Sequence, residues 1–251
     1  MKRVKQGKPR SGVLLQPLKL SDLKLELDLA ADEVRARSLA WFFKTGPGQY
    51  GEGDQFLGIT VPAQRKIARR FRHLPLGDLK KLLASPFHEH RFTALIILVG
   101  KYQAGDSRVR VEVFDFYLKN AGFINNWDLV DTSSPQIVGE HLLTRRRDVL
   151  YRLAKSRSLW ERRIAMVSTL AFIRQGDLAD VFALAELLLQ DKHDLMHKAI
   201  GWMLREAGKR SIADLQGFLA EHYASLPRTT LRYAIERLPE EQRRRALQGQ
   251  F

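Results

Sequence analysis

The segments His90-Arg91-Phe92-Thr93-Ala94-Leu95, Arg162-Arg163-Ile164-Ala165-Met166, His197-Lys198-Ala199-Ile200 and Arg232-Tyr233-Ala234-Ile235 repeat one pattern along the chain. In each segment a basic residue lies shortly before an alanine, and an apolar residue follows it. The last three alanines are 34 and 35 residues apart, and the first two are 71 apart, which is two periods. The missing copy falls at Leu129 and Val130. This period is typical of stacked helix pairs, in which each unit buries its apolar face on its neighbours.

The recurring helical face also carries Trp127 and Asp131, then Arg163, then Trp202. Trp127 and Asp131 are four residues apart, so they share one side of a helix. Because equivalent helices of stacked repeats lie side by side, we expect all four residues to meet on one surface. Taken singly, they have structural interpretations. The tryptophans would be packed aromatics, Asp131 a cap of the helix after Ser134, and Arg163 a solvated arginine.

The composition excludes several classes of protein. The 251 residues suffice for one large domain or an extended repeat array. The absence of cysteine excludes disulfides, thiolate metal sites and thiol nucleophiles, and it fits a reducing compartment. The longest apolar runs, such as Ala94 to Gly100, are too short to span a bilayer. The N-terminus is basic and polar and has no apolar signal core.

The chain is strongly basic, with a net charge of +14 and a pI of about 10.2. A polyanion is the natural partner, because neutralised phosphates release counterions and this release drives binding. The alternative is a basic protein with solvated helix faces. Arginines recur at matching places in the repeat, and we therefore favour nucleic acid over a membrane surface.

The distribution of charged residues, glycines and prolines divides the chain into one arm and one helical domain. Residues 1–20 carry six basic residues and no acidic one, which indicates a basic N-terminal arm, followed by a single domain over residues 21–251. Thr45 to Asp54 contains four glycines and a proline and is predicted to be a loop. The pattern predicts helices near 30–44, 62–71, 76–84, 89–103, 108–121, 125–132, 135–143, 147–155, 159–174, 179–190, 194–208, 212–224 and 229–246. The fold class is an all-α solenoid, a curved superhelix of paired helices.

Other residues receive structural interpretations. His193 and His197 have the i, i+4 spacing of a helical metal pair, but no third ligand is evident, and we predict neither a metal site nor a cofactor. Ser134 followed by Pro135 is predicted to begin a helix. The remaining assignments are surface or capping positions for His88 and His90 and core positions for Trp41 and Trp160.

Four segments carry a resemblance to a known family: Gln55-Phe56-Leu57-Gly58-Ile59 with Pro62, Asn125-Asn126-Trp127-Asp128-Leu129-Val130-Asp131, Leu159-Trp160-Glu161-Arg162-Arg163-Ile164-Ala165 and Lys198-Ala199-Ile200-Gly201-Trp202-Met203-Leu204-Arg205-Glu206. They resemble the bacterial DNA alkylation repair proteins built from HEAT-like repeats, the AlkD-type glycosylases. The resemblance extends over nearly the whole chain from about residue 30.

The resemblance implies a HEAT-like solenoid with a concave basic face and an active site in this chain. The family's active-site tryptophans fall on Trp127 and Trp202, its carboxylate on Asp131 and its arginine on Arg163. Where well-known members have bulky aromatics before the second-tryptophan helix, this chain has Asp194 and Leu195. Six further residues are predicted DNA contacts: Arg162, Lys198, Arg205, Lys209, Tyr50 and Arg91.

The implied activity is excision of cationic alkylated purines, of the 3-methyladenine and 7-methylguanine type, from duplex DNA without deep base flipping. A carboxylate such as Asp131 would stabilise the positive charge that develops on the deoxyribose, the faces of Trp127 and Trp202 would grip a cationic nucleotide, and Arg163 would hold a phosphate. The alternative is a non-catalytic protein of the same fold that binds DNA structures. We expect a monomer in the bacterial cytoplasm, associated with the nucleoid.

Overall fold

The computed structural model describes residues 18–251, and nearly all of the predicted basic arm, residues 1–20, lies outside them. Within the described range the regular structure is helical, apart from one isolated bridge between Gln55 and Phe87. None of these helices is long and apolar enough to cross a membrane. The all-helical fold class predicted from the sequence is confirmed for this part of the chain.

The α-helices are α1 (Leu20–Leu29), α2 (Glu33–Phe42), α3 (Val61–Arg70), α4 (Leu76–Leu83), α5 (His88–Ala104), α6 (Ser107–Lys119), α7 (Trp127–Ser134), α8 (Glu140–Leu142), α9 (Asp148–Ala154), α10 (Leu159–Ser168), α11 (Leu170–Arg174), α12 (Ala179–Leu188), α13 (Asp194–Gly208), α14 (Ile212–His222), α15 (Arg228–Ala234) and α16 (Glu240–Leu247). A 3₁₀ turn covers Ala121–Phe123, and a π-helical turn covers Pro135–Gly139.

The helices that carry the sequence repeat form one continuous stack. Helix α5 packs on α7, α7 on α10, α10 on α13, and α13 on α15. The repeat alanines Ala94, Ala165, Ala199 and Ala234 are all buried in this stack. Leu129 and Val130 of α7, where the sequence lacks a visible copy, are fully buried. Each unit therefore buries its apolar face on its neighbours, as the period indicates.

A second set of helices covers the stack. Helices α4 and α6 pack on α5, α9 on α10, and α12 and α14 on α13. One cluster of buried apolar side chains extends from Leu23 in α1 to Ala246 in α16. The stack thus brings residues from distant parts of the sequence to one face, and the outer helices cover its other side.

Several helix boundaries differ from those expected, including two next to prolines. Ser134 has helical backbone angles and caps no helix, and α7 continues through Pro135 into the π-helical turn. Proline lacks an N–H group and crowds the preceding turn, and a widened π turn accommodates both effects without ending the helix. The predicted helix over 229–246 is two helices, α15 and α16, because Pro239 is the N-cap of α16.

Helix α2 packs less tightly than the repeat helices. It contains no buried residue, and Trp41 is 84% exposed, so the prediction of a core position for Trp41 is wrong. Trp160, by contrast, packs against the core as a partly buried residue.

Gly58, with a φ of 82°, lets the segment before α3 lie close to the start of α2. A Cβ at this position would lie 2.0 Å from the carbonyl oxygen of Asp32.

Gly201 sets the distance between α13 and α15. A Cβ at this position would lie 2.5 Å from Tyr233 Cβ and 2.6 Å from the carbonyl oxygen of Thr230. Both contacts are far shorter than van der Waals distance, so only glycine permits this approach.

We expect Gly201→Ala to lower the free energy of unfolding by about 1–3 kcal/mol, because the methyl group would push α15 away from α13. The matched control is Gly217→Ala in α14, where a Cβ would meet nothing within 4 Å. This control should stabilise the protein by about 0.5–1 kcal/mol, since alanine is the better helix former. Urea denaturation of both variants measures the difference, and equal effects would contradict the proposed close contact.

Candidate functional site

The four residues singled out by the repeat meet in one cleft. Trp127 and Asp131 come from α7, Arg163 from α10 and Trp202 from α13, and they line a space of about 650 Å³. The other residues lining the cleft are Phe42, Lys44, Tyr50, His193, Asp194, Leu195, Lys198, Arg205 and Tyr233. The structure therefore brings together the residues predicted to meet.

A two-pronged ion pair joins Asp131 and Arg163 in the cleft. Arg163 Nε donates to Asp131 Oδ1 at 2.8 Å, and Nη2 donates to Oδ2 at 2.7 Å. Burial raises the pKa of the Asp131 carboxyl above its usual value, and the guanidinium of Arg163 opposes that rise. Both carboxylate oxygens are thus fixed in direction, which is the geometry that makes arginine–carboxylate pairs strong.

Arg163 is a buried residue, only 5% exposed, and its third nitrogen, Nη1, donates to the carbonyl oxygen of Leu195. The interpretation of Arg163 as a solvated arginine is therefore wrong. Three of its five N–H groups donate within the protein, so its main contacts are to Asp131 and Leu195. Nor is Asp131 a helix cap: its carboxylate points to α10, and α7 runs on past Ser134.

The indole of Trp127 is held on two sides. Its ring stacks on Phe43 with centroids 5.3 Å apart and planes inclined by 18°, and Phe42 meets it edge-on at 6.1 Å. Its Nε1–H donates to the hydroxyl of Tyr50 at 3.3 Å. Tyr50 thus links the glycine-rich loop to the cleft. Burial raises the pKa of the Tyr50 hydroxyl, which keeps it protonated and neutral.

Phe42 and Lys44 are among the cleft residues that were missed in the sequence. Phe42 is half exposed and touches Trp127, and Lys44 lies where the glycine-rich loop begins. Lys44 has a φ of 55°, a left-handed conformation in a lysine. The sequence signal was weak, because both residues sit at the end of an apolar helical pattern that predicts packing.

The predicted DNA contacts fall into different environments. Tyr50, Lys198 and Arg205 line the cleft. Lys209 is half exposed and pairs with Glu206, and Lys198 pairs with Asp194, which raises the pKa of the Lys198 ammonium.

Arg91 does not belong to this surface. It is 4% exposed and pairs with Asp54 at 2.6 Å, so the expectation of a DNA contact is wrong for this residue. Arg162 likewise binds Asp191 and two backbone carbonyl groups, and this side chain is mostly buried.

The arginines that recur in the sequence have a shared structural role. Their carboxylate partners lie about one repeat away, so each pair links neighbouring units. The pairs are Arg91 with Asp54, Arg147 with Asp180, Arg162 with Asp191, Arg163 with Asp131, and Arg205 with Glu236. Three of these arginines, Arg91, Arg162 and Arg163, stand in the repeated segments, so their recurrence in the sequence reflects contacts between repeats.

The two histidines at metal-pair spacing serve other purposes. His193 is the N-cap of α13 and its Nδ1 accepts from the backbone N–H of Leu195, while His197 Nε2 contacts the carbonyl oxygen of Asp191. Among residues 18–251 no group of three or more histidine or acidic side chains could hold a metal ion.

Stacked helical repeats that bring a carboxylate, a guanidinium and two tryptophans into one cleft define a helical-repeat protein. A family model described as DNA alkylation repair enzyme matches residues 23–238, and the chain belongs to that family. Its role therefore lies in the repair of alkylated DNA.

The comparison of structures agrees in fold. A solved structure described as a predicted DNA alkylation repair enzyme from Enterococcus faecalis is similar to this chain, with a TM-score of 0.66 and 16% sequence identity. The similarity covers 84% of this chain and 97% of that chain. A search of curated proteins found no match. At this identity the likeness shows a shared architecture.

We expect Arg163→Lys to lower the free energy of unfolding by about 1–3 kcal/mol, because a lysine cannot make all three buried contacts. The matched control is Arg146→Lys, whose pair with Asp148 is at the surface, with the two side chains 90% and 73% exposed. This control should leave stability unchanged. Chemical denaturation measures both variants, and an Arg163→Lys protein as stable as the control would contradict the assigned contacts.

Proposed function

We propose that the protein is an AlkD-type DNA glycosylase that removes cationic alkylated purines, such as 3-methyladenine and 7-methylguanine, from duplex DNA. The observation that carries this proposal is the Asp131 carboxylate, fixed by Arg163 in a cleft that it shares with Trp127 and Trp202. The reaction is hydrolysis of the N-glycosidic bond, and its products are a free base and an abasic site.

Alkylation at N3 or N7 gives the purine a positive charge. The bond from C1′ to the base then breaks with its electron pair going to the base, which leaves as a neutral molecule and needs no acid. Positive charge develops on the deoxyribose, and water adds to C1′ and loses one proton. A carboxylate directed at the sugar stabilises this charge and can orient the water, and we assign this role to Asp131.

The two tryptophans suit a cationic lesion. The electron-rich face of an indole attracts a cation that lies over it. Trp127 and Trp202 are partly buried, so each combines a fixed ring with a surface open to the cleft. We propose that they hold the lesion nucleotide at the duplex surface without drawing the base into a deep pocket.

Arg163 receives a different role from the one that resemblance suggests. We propose that it acts through Asp131, as a positioning residue, since its guanidinium binds both carboxylate oxygens. Its charge also opposes the rise in the Asp131 pKa that burial causes, and so favours the ionised carboxylate. We assign phosphate contacts to the lysines that line the cleft, Lys44 and Lys198.

One observation favours a second candidate, a non-catalytic protein that binds DNA structures. At the positions where the resemblance implies bulky aromatics, Asp194 and Leu195 line the cleft, and Asp194 is exposed. Such a cleft grips a base less firmly than an aromatic one. Under either candidate we propose a monomer in the bacterial cytoplasm, associated with the nucleoid.

Duplex binding should depend steeply on salt and little on sequence. Each phosphate contact contributes a slope of about −0.9 to log K against log salt, and the net charge of +14 permits several contacts. Lys198→Gln should reduce the slope by about one unit for all sequences. Fluorescence anisotropy over a salt series measures this, and a flat response would exclude a polyanion partner.

Asp131→Asn should reduce excision by about a hundredfold or more, because it removes the negative charge that stabilises the cationic sugar. Affinity for the duplex should stay the same or rise, since a negative charge facing DNA is lost. Release of free 7-methylguanine under single-turnover conditions is the measurement.

The control for this substitution is Asp148→Asn, which makes the same chemical change at an exposed position on α9. Circular dichroism verifies that both variants are folded at the assay temperature. Excision by folded Asp131→Asn equal to that of the control would refute the catalytic assignment. A wild-type protein that binds duplex DNA but releases no cationic base would establish the non-catalytic candidate.

A further inference from the structure

A buried charged cluster lies behind Trp127, centred on His88 at the start of α5. His88 is 3% exposed, which corrects the expectation of a surface or capping position. Its Nε2 lies 2.8 Å from Asp128 Oδ2, and its Nδ1 lies 3.3 Å from Asp54 Oδ2. Two carboxylates facing both ring nitrogens require both nitrogens to donate, so the ring is an imidazolium.

The charges around His88 agree with this protonation state. Arg91 Nη2 is 2.6 Å from Asp54 Oδ1, which holds Asp54 in its ionised form. Burial lowers the pKa of His88, and the charge of Arg91 lowers it further. The attraction and hydrogen bond of Asp128, together with the hydrogen bond of Asp54, outweigh both effects and raise the His88 pKa to about 9. Burial also works to raise the pKa of Asp54, but His88 and Arg91 lower it overall.

The first connection from this cluster to the cleft is aromatic. The His88 ring lies against Phe43 and Phe56, with centroid distances of 4.9 and 4.8 Å. Phe43 in turn stacks on the indole of Trp127. An imidazolium against aromatic faces gains cation–π attraction, which a neutral side chain would not supply.

The second connection runs through the backbone on each side of Trp127. Asn126 donates its Nδ2–H to Asp54 Oδ2 at 3.3 Å, and its Oδ1 accepts from the N–H of Trp127 at 2.8 Å. Asp128, on the other side, accepts from His88. The start of α7 is therefore tied to α5 and to the end of the glycine-rich loop by the same cluster.

We infer that His88 is a positioning residue, a buried imidazolium that fixes the indole of Trp127 in the cleft through Phe43, Asp54 and Asp128. Its effect on excision rests on the proposed function, whereas its effect on Trp127 does not. The charged groups near His88 are Asp54 before α3, Glu89 and Arg91 on α5, and Asp128 on α7. Two more, Arg35 and Arg65, line a second, apolar cleft of about 380 Å³ that His88 also lines.

The pH dependence follows from the raised pKa. The stabilisation from His88 is fully present below the pKa of an unfolded histidine, about 6.5. It is lost as the pH rises through the folded value of about 9. Trp127 should therefore be held firmly at neutral pH and released in mildly alkaline solution.

The test is His88→Gln compared with His90→Gln. His90 is a matched control because it is on the same helix, is 5% exposed, and binds Ser85 Oγ, away from Trp127. Nitrogen-15 spectra of full-length protein report the His88 ring and the Trp127 indole Nε1–H together, with assignment from His88→Gln and Trp127→Phe. Single-turnover excision is measured on the same samples.

In the wild type we expect the His88 and Trp127 signals to shift with one midpoint near pH 9. In His88→Gln the Trp127 signal should move at pH 7 and lose this midpoint, and excision should fall about tenfold. His90→Gln should leave the Trp127 signal in place and excision within about twofold. An unmoved Trp127 signal, or unchanged excision, in folded His88→Gln would overturn the proposal.

Asp128→Asn tests the proposal even where His88→Gln fails to fold. Loss of this carboxylate removes the strongest attraction on the imidazolium, so the His88 midpoint must fall below that of the wild type. An unchanged midpoint would overturn the proposal. A wild-type protein without excision activity would refute the proposed glycosylase, while the two nitrogen-15 signals would still decide the role of His88.

Discussion

The ion pair between Asp131 and Arg163 is the contact on which the cleft depends. It joins α7 to α10, and the third nitrogen of Arg163 extends the connection to α13. A buried pair of this kind adds little net stability, but removing one partner leaves an uncompensated charge and costs about 3–5 kcal/mol. Breaking this contact would destabilise the fold, and the direction of the carboxylate is therefore fixed.

Several other arginines form ion pairs inside the protein in the same way. Arg91, Arg147 and Arg162 each bind a carboxylate of a neighbouring unit. Net charge still measures the long-range attraction to a polyanion. It overstates the number of cations available for contact, however, because a paired and buried guanidinium has much of its charge neutralised and little of its surface exposed. The distinction matters for choosing which side chains to substitute.

The sequence predicted the parts of the molecule that follow from periodicity. The buried alanines of α5, α10, α13 and α15 recur at the repeat length, and this spacing predicts both the stack and the convergence of Trp127, Asp131, Arg163 and Trp202. It did not reveal the burial of His88, because its partners Asp54 and Asp128 lie outside the four segments in which the repeat is visible. The exposure of Trp41 was also hidden, because an apolar residue in a helical pattern looks the same whether or not another element covers it.

The stacked order of α5, α7, α10, α13 and α15 has a consequence for how the molecule opens. In such an array cooperativity extends mainly between adjacent units, so fraying begins at the ends and advances inward. The cleft spans the units of α7, α10 and α13, and Tyr233 of α15 completes its wall. Loss of α15 and α16 alone would leave Asp131 and Arg163 paired between folded helices but would remove one side of the cleft. Unfolding of the C-terminal unit would therefore open the cleft on the side of Tyr233 without breaking the pair between Asp131 and Arg163.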